Sequence, residues 1–458
     1  MKKYVFICHS GRYPVMAMIL MFFILCIQSI AQMKSEPKNF TLDQCVEIAV
    51  KNNYDVLIAN AQVETSGADI TNAFGRYLPS INFSGGYSRQ LNVKGGNTVD
   101  VGGQIIPIPA PNPNSYSMNA YASYLLFDGF SRGANYSRAQ ESYNSNYNNS
   151  LYVIKRVKRD VNRQFFDIIK KFEIVKIRQE NLELGRKVLE MIQAQEKAGT
   201  IPITNVYAQE ADLGNSEYEL VVAENDLNVA KAQLLYTMGL NTDYDAEFLE
   251  SSINSKISED DIVKFRSDIG SQDAAVSEAL KNRLDYTSLQ SGLEAANSNV
   301  AISRSGYYPS ISANGGWSWA NSSLDQFSDF GRSYLGLSVS LPIFDNFNTN
   351  YRIQTAELQV KQIEIQKQQL EQNIRTNIQT AFMNLDAAEK QLDISNRALK
   401  SAQESYDSFN ERFKVGASGI TDYLTANNQL ITAQINRINA VYGYLLAQKE
   451  ILFAIGKF

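Results

Sequence analysis

Residues 345–416 read DNFNTNYRIQTAELQVKQIEIQKQQLEQNIRTNIQTAFMNLDAAEKQLDISNRALKSAQESYDSFNERFKVG, 72 residues without proline. A helix of that length is about 100 Å long at about 1.5 Å per residue, far beyond the average of about 11 to 12 residues. Ile353, Ala356, Val360, Ile363, Leu370, Ile374, Ala381, Leu385, Ala388, Leu392, Leu399, Ala402, Tyr406, Phe409 and Phe413 follow one another at helical steps and form one apolar stripe. Alanine alternates with larger side chains along it, which lets helices approach closely in a coiled-coil manner. On this stretch alone a long cytosolic coiled coil stays open as an alternative.

An earlier stretch copies it. Asp128 to Gly199 also covers 72 residues without proline and carries Ile154, Val157, Val161, Phe165, Ile168, Phe172, Val175, Leu182, Leu189 and Ile192 at similar spacing. Internal repeats decide architecture, and this copy extends outward in both directions. Lys51-Asn52-Asn53-Tyr54-Asp55 answers to Lys281-Asn282-Arg283-Leu284-Asp285, and Tyr77-Leu78-Pro79-Ser80-Ile81 to Tyr307-Tyr308-Pro309-Ser310-Ile311, both at an offset of 230. Phe127-Asp128 pairs with Phe344-Asp345, Gly199 with Gly416 and Gly239 with Gly456 at an offset of 217. The shortening falls inside a hairpin loop.

Between the helical patterns the period changes. Ile81, Phe83, Tyr87 and Leu91 alternate with Asn82, Ser84, Ser88 and Gln90, while Tyr116, Met118, Ala120, Ala122, Tyr124 and Leu126 alternate with serines and Asn119. These predict strands with one apolar face and one polar face. A Gly- and Pro-rich loop, 95–113, separates them. The second copy has Ile311, Ala313, Trp317 and Trp319, then Leu335, Leu337, Val339 and Leu341. Gly85-Gly86 and Gly315-Gly316 lie within strands, where close packing is the expected reason. The polar faces are small and uncharged, and aromatics mark the strand ends, at Tyr77, Phe127, Phe130, Tyr307, Tyr308, Phe344 and Phe347, with Phe327 and Phe330 in the second loop. Apolar outside, polar inside and aromatic at the margins predicts a transmembrane barrel, with a small soluble sheet as the alternative. Four strands cannot close a barrel, and open edges in lipid are costly. Two copies would supply eight strands with a largely filled interior; three would supply twelve and an open lumen. The trimer is the economical answer for a conduit.

The chain totals exclude other classes. The formal charge is −5 over 458 residues, which argues against nucleic acid as a partner. Lys2, Lys3 and Arg12, the apolar run Val15 to Ile27 and Ser29-Ile30-Ala31 predict a signal peptide over 1–31. The run is short of the roughly 20 residues that a spanning helix needs. Cys26 is a possible lipidation site, although Leu25 before it is not the small residue such sites prefer. With the leader removed, His9 and Cys8 go too, leaving Cys45 as the remaining cysteine. Intrachain disulfides, His-based catalysis and Cys/His metal sites are then excluded by count. No nucleophile elbow, phosphate loop or dinucleotide fingerprint stands in a strand-turn-helix setting. The reading is therefore of a non-enzyme without cofactor, and Cys45 is read as a small buried residue.

Each rod ends in a glycine turn: Lys197-Ala198-Gly199-Thr200-Ile201-Pro202-Ile203-Thr204-Asn205 and Lys414-Val415-Gly416-Ala417-Ser418-Gly419-Ile420-Thr421-Asp422. Gly199 and Gly416 suit a left-handed helix stop, and Pro202 the first turn of the next helix. With the Leu42–Asp55 opening, both Tyr-x-Pro-Ser-Ile strand entries, both Phe-Asp exits and both tips, the mature chain resembles the TolC family of outer-membrane efflux proteins. The resemblance implies a mainly α fold with a transmembrane β-barrel: a homotrimer with a 12-stranded barrel on a long α-helical periplasmic barrel, built from two structural repeats, 32–240 and 241–458. Hairpins at 77–128 and 307–345, an equatorial collar from the irregular segment 241–270, and helical tips near 199–205 and 416–422 complete the expected plan.

It implies an exit duct of a tripartite efflux or type I secretion system in the cell outer membrane. The expected partners are outer-membrane lipid, a periplasmic adaptor (membrane fusion) protein and an inner-membrane transporter of the RND, ABC or MFS type. The expected adaptor-contacting residues are Gly199, Thr200, Ile201, Pro202, Thr204, Gly416, Ala417, Gly419, Ile420 and Thr421. The expected constriction is Asp422 with Asn205, Thr425 and Ser418. Thr425 stands where the family often has a second acidic residue, Asn205 where the first tip often has an Asp, and Ser418 where an Arg can lock the closed state. Asp422 also reads as an ordinary acidic residue favoured in a helix's first turn. A structural periplasmic or surface coiled-coil protein without transport is the alternative function. Cargo is not legible in the residues.

Overall fold

The computed structural model describes residues 39–91, 98–107, 112–242, 246–249, 257–325 and 327–458. The leader, Cys26 and parts of the 95–113 and 241–270 segments lie outside the described residues. In chain order the elements are β1 (Asn39–Phe40), α1 (Leu42–Asn52), α2 (Tyr54–Gly75), β2 (Ser80–Arg89), β3 (Thr98–Val101), β4 (Gln104–Pro107), β5 (Asn114–Asp128), α3 (Ser131–Lys197), α4 (Ile203–Thr237), β6 (Glu247–Phe248), α5 (Glu259–Ile269), α6 (Gln272–Asn282), α7 (Leu284–Arg304), β7 (Ser310–Asn321), β8 (Arg332–Ser340), α8 (Asn348–Lys414) and α9 (Ile420–Ile455).

The two rods, α3 and α8, are each 67 residues long. Every residue assigned to the stripe of α8 is buried or half-buried. In α3 the exception is Phe172, which is 46% exposed. It falls off the seam because Ile168, Ile169 and Val175 occupy the inward face around it. Thr41 caps α1 with a reciprocal capping box to Gln44.

The duplication extends into the interior. One core holds Cys45, Ala49, Val157, Val161, Ile168, Leu234 and Met238. The other holds Ala275, Ala279, Ile374, Ile378, Leu385, Ile451 and Ile455, their counterparts at the two offsets. Cys45 thus fills an alanine's place, and burial pushes its thiol up to about 12. Four glycines stop the four long helices: Gly199, Gly239, Gly416 and Gly456 all have φ between 70° and 87°. At Gly239 an added Cβ would lie 2.4 Å from the Asn52 carbonyl oxygen, and at Gly456 it would lie 3.2 Å from the Asn282 carbonyl carbon. The duplicated Lys-Asn-x-x-Asp segments are therefore seats for the ends of α4 and α9. Asn53 Nδ2 donates to Thr237 O at 2.8 Å on one side, and Arg283 Nη1 to Ala454 O at 3.4 Å on the other.

Strands form one antiparallel sheet in the order β2-β5-β7-β8. Its register places Phe83 opposite Ala120, Ala120 opposite Trp317, and Ala313 opposite Leu337, so the apolar residues share one face. On the other face Asn314 Oδ1 accepts from Tyr121 Oη at 2.8 Å and Ser123 Oγ at 2.9 Å, and Asn314 Nδ2 donates to Ser338 Oγ at 3.1 Å. Gly316 leaves room for the Tyr334 ring, which an added Cβ would approach to 2.9 Å. The described part of the 95–113 loop is not structureless: β3 and β4 pair antiparallel around Gly102-Gly103, whose φ values of 67° and 89° permit the tight turn. The segment 241–270 likewise contains β6, paired parallel with β1, and helix α5, so it is less irregular than expected. Among the described residues no helix is long and apolar enough to cross a membrane.

Both strand-to-helix junctions use one device. Asp128 Oδ2 accepts from Arg132 N, and Asp345 Oδ2 from Thr349 N, each at 2.8 Å. Phe130 and Phe347 hold left-handed conformations at φ 70° and 62°, and their rings meet Phe127 and Phe344 edge-on at 5.3 and 5.7 Å. Such a conformation costs a bulky residue about 1–3 kcal/mol, which the aspartate cap and ring pair offset. Gly199→Ala should cost only the left-handed penalty, about 1–2 kcal/mol, because nothing stands near its Cβ position. Gly239→Ala should lower the thermal unfolding midpoint clearly further, because the Asn52 backbone must also move.

Candidate channel gate and partner-facing tips

The first tip closes with a hydrogen-bond pair that the second repeats. Gly199 N donates to Glu196 O at 2.8 Å and Thr200 N to Gln195 O at 3.0 Å; Gly416 N donates to Phe413 O at 3.0 Å and Ala417 N to Arg412 O at 2.8 Å. This pair of hydrogen bonds is the Schellman stop, and it satisfies carbonyls that the helix end leaves open. Pro202 and Gly419 then start α4 and α9 in extended backbone.

A small apolar core ties the two helical hairpins together beside the turns, with Val188 and Ile192 from α3, Val206 from α4, and Ile420 and Tyr423 from α9. Val206 and Tyr423 are counterparts. Phe413 stacks on Tyr423 at 4.9 Å. Burial, with neighbouring Tyr406 adding to it, pushes the Tyr423 hydroxyl above the ordinary tyrosine range, so the ring stays neutral.

Helical periodicity sets the adjacent residues outward. Asp422 is exposed and makes no ion pair among the described residues, while its counterpart Asn205 is half-buried. Thr425 is exposed, and its Oγ1 donates to Thr421 O at 2.8 Å; Ser418 is half-buried, and its Oγ donates to Gly419 O at 3.3 Å. Gly199, Thr200, Pro202, Thr204, Gly416, Ala417, Gly419 and Thr421 are exposed at the turns, Ile201 is half-buried, and Ile420 is buried in the tip core. Ile420 therefore supports the tip from within. All these residues gather at one end of the rods.

Three helices meet in a polar contact that the sequence reading did not single out. Asn427 Nδ2 on α9 donates to Asn181 Oδ1 on α3 at 2.9 Å, and Asn181 Nδ2 donates to Ser216 Oγ on α4 at 3.1 Å. All three residues are buried. Their counterparts are Ala398, Ala433 and Glu210, so the contact exists once per chain. Polar residues interrupting an apolar seam were the available signal. A buried asparagine pair in a helical seam sets register at a cost in stability.

Comparison with known proteins agrees with this architecture. The family model described as outer membrane efflux protein matches residues 45–240 and 275–457, and the chain belongs to that family. Among curated relatives, the outer membrane protein TolC of Vibrio cholerae is 22% identical over 419 residues, covering 89% of each chain. The pyoverdine export outer membrane protein OpmQ of Pseudomonas aeruginosa is 23% identical, covering 91% of this chain and 85% of that one. The Campylobacter jejuni CmeC outer membrane channel superposes with a TM-score of 0.75 at 18% identity, covering 91% and 85% of the two chains. The Vibrio cholerae outer membrane protein VceC superposes with a TM-score of 0.74 at 16% identity, covering 91% and 96%. The chain is thus an outer-membrane protein of the TolC type, with the helical barrel fold and two repeats of those channels.

Asn427→Leu leaves Asn181 with an unmet buried group and should cost about 1–3 kcal/mol. The paired change Asn181→Leu with Asn427→Leu should cost less than the sum of the single changes, as a double-mutant cycle on thermal unfolding would register.

Proposed function

We propose that the chain is the exit duct of a tripartite efflux or type I secretion system. Three copies join their sheets into a 12-stranded barrel, and the rods form a periplasmic tunnel about 100 Å long. The carrying observation is the four-stranded sheet: most of its apolar face is bare, with Phe83 71% and Leu335 88% exposed although Trp319 is buried against Phe327, and among the described residues both edge strands lack a neighbour. A sheet open on two edges and apolar on one face suits lipid only when other copies complete it. Family membership and the outer-membrane channels among the fold relatives support the reading.

In this reading the exposed turn residues meet a periplasmic adaptor, which links the duct to an inner-membrane transporter of the RND, ABC or MFS type. The chain acts as a conduit without enzymatic activity. Asp422 faces its copies around the tunnel axis with Asn205, Thr425 and Ser418 nearby. Three like charges there attract cations and oppose anions. A purely structural rod would have no use for the sheet. Fractionation separates the two: the duct should appear as a detergent-extracted outer-membrane trimer that conducts ions in a planar bilayer, and recovery with the soluble periplasm would overturn it. Asp422→Ala should raise single-channel conductance and weaken cation preference; an unchanged current and reversal potential would remove Asp422 from the constriction.

A further inference from the structure

A cavity of about 810 Å³ lies where the sheet meets the rods, at the opposite end from the tips. Both repeats line it with equivalent positions: Ser80 and Ser310 at the strand entries, Ser123 and Ser340 at the exits. Ser80 stands opposite Ser123 and Ser310 opposite Ser340, so the cavity opens on the polar face of the sheet. Two further positions break the repeat. Arg76 and Arg132 line the cavity, whereas their counterparts at the two offsets are Gly306 and Thr349. In repeat 2 these close on one another, since a Cβ built on Gly306 would lie 2.7 Å from Thr349 Oγ1. In repeat 1 the same two positions bring two cations to the cavity.

Arg132 is held in place yet keeps bonding capacity to spare. Its guanidinium lies 5.3 Å from the centre of the Tyr77 ring, and Nη2 donates to Leu126 O at 2.9 Å. Asp128, the carboxylate in the cavity wall, has Oδ2 3.5 Å from Arg132 Nε, but that oxygen already accepts from Arg132 N at 2.8 Å. Nε is buried without a hydrogen bond, and Nη1 has no partner among the described residues. Arg76 is exposed, and its guanidinium makes no hydrogen bond or ion pair among the described residues. A buried donor left unmet is costly, and the planar fork of a guanidinium matches the oxygens of a carboxylate or phosphate. We infer that Arg76 and Arg132 make this cavity an oxyanion subsite for small organic anions bearing a carboxylate or phosphate group. Its volume suits a ligand of that size. Its place on the polar face excludes the phosphates of membrane lipid, which meet the apolar side. Arrival of the anion rests on the duct reading, in which three copies set two guanidiniums each where the tunnel opens into the barrel. The sign is opposite to that of Asp422 at the far end of the rods, so the two ends act on opposite charges.

Calorimetric titration of the purified full chain with inorganic phosphate, in detergent and at constant ionic strength, tests the subsite directly. Arg76→Gln removes an exposed group that holds nothing else, so it should leave folding intact and weaken phosphate binding about tenfold or more. Arg76→Lys should restore part of the loss. Lys400→Gln removes the same charge from an exposed position on α8 and should leave binding unchanged. In a planar bilayer, phosphate should reduce the current of the parent channel and spare that of Arg76→Gln. A parent that binds no phosphate, equal binding by the parent and Arg76→Gln, or a matching loss with Lys400→Gln overturns the subsite. A parent that binds phosphate through Arg76 yet conducts no ions supports the subsite and overturns the duct reading instead.

Discussion

Unpaired backbone at the two edges of one small sheet is the constraint on which the remainder depends. β2 and β8 each present a row of N–H and C=O groups with no strand partner among the described residues. In water such edges invite aggregation, and in hydrocarbon each unmet group costs several kcal/mol. The apolar face makes the hydrocarbon setting the favourable one, and in the proposed duct further strands meet the edges. Length follows from the same proposal: a sheet held at the membrane would reach a distant partner only through rigid elements, and the 67-residue helices α3 and α8 would supply them.

Those helices gain their stability from packing, not from propensity. Their apolar stripes bury against α4 and α9 and against each other's hairpin, and shorter helices seat the far ends. The Gly239 and Gly456 contacts on Asn52 and Asn282 show that this seating is duplicated: a Cβ at Gly239 would enter the Asn52 backbone, and one at Gly456 would press on Asn282. At the membrane end, aspartate caps hold two phenylalanines in left-handed backbone, turning each strand sharply into its rod. At the other end the tips depart from duplication. To the one tip core repeat 2 contributes Tyr423 and repeat 1 its smaller counterpart Val206, Asp422 stands where repeat 1 has Asn205, and the Asn427–Asn181–Ser216 contact occurs once. Within the helical hairpins, asymmetry thus appears where α9 meets the first hairpin.

Most of the fold was legible in the residues because it is local and periodic. Proline-free helical stripes, period-2 strands, glycine stops and two constant offsets are properties of neighbouring positions. They determined the two rods, four strands, the tip turns and the likeness to outer-membrane efflux proteins. What the residues could not show is which faces meet. Phe172 fits the stripe by spacing yet is exposed, because a helix 67 residues long offers more than one candidate seam and only its neighbours choose among them. The β3–β4 hairpin was hidden by its glycines and prolines, which break long strands but permit a short turn. Asn181 and Asn427 lie 246 positions apart, so no local pattern could pair them. Among the tip residues, the sequence by itself determined where the turns fall; the tertiary structure decided that Ile420 faces the core while Asp422 faces outward. The physical reason is that backbone periodicity is written within a few residues, whereas burial depends on what the rest of the chain brings alongside.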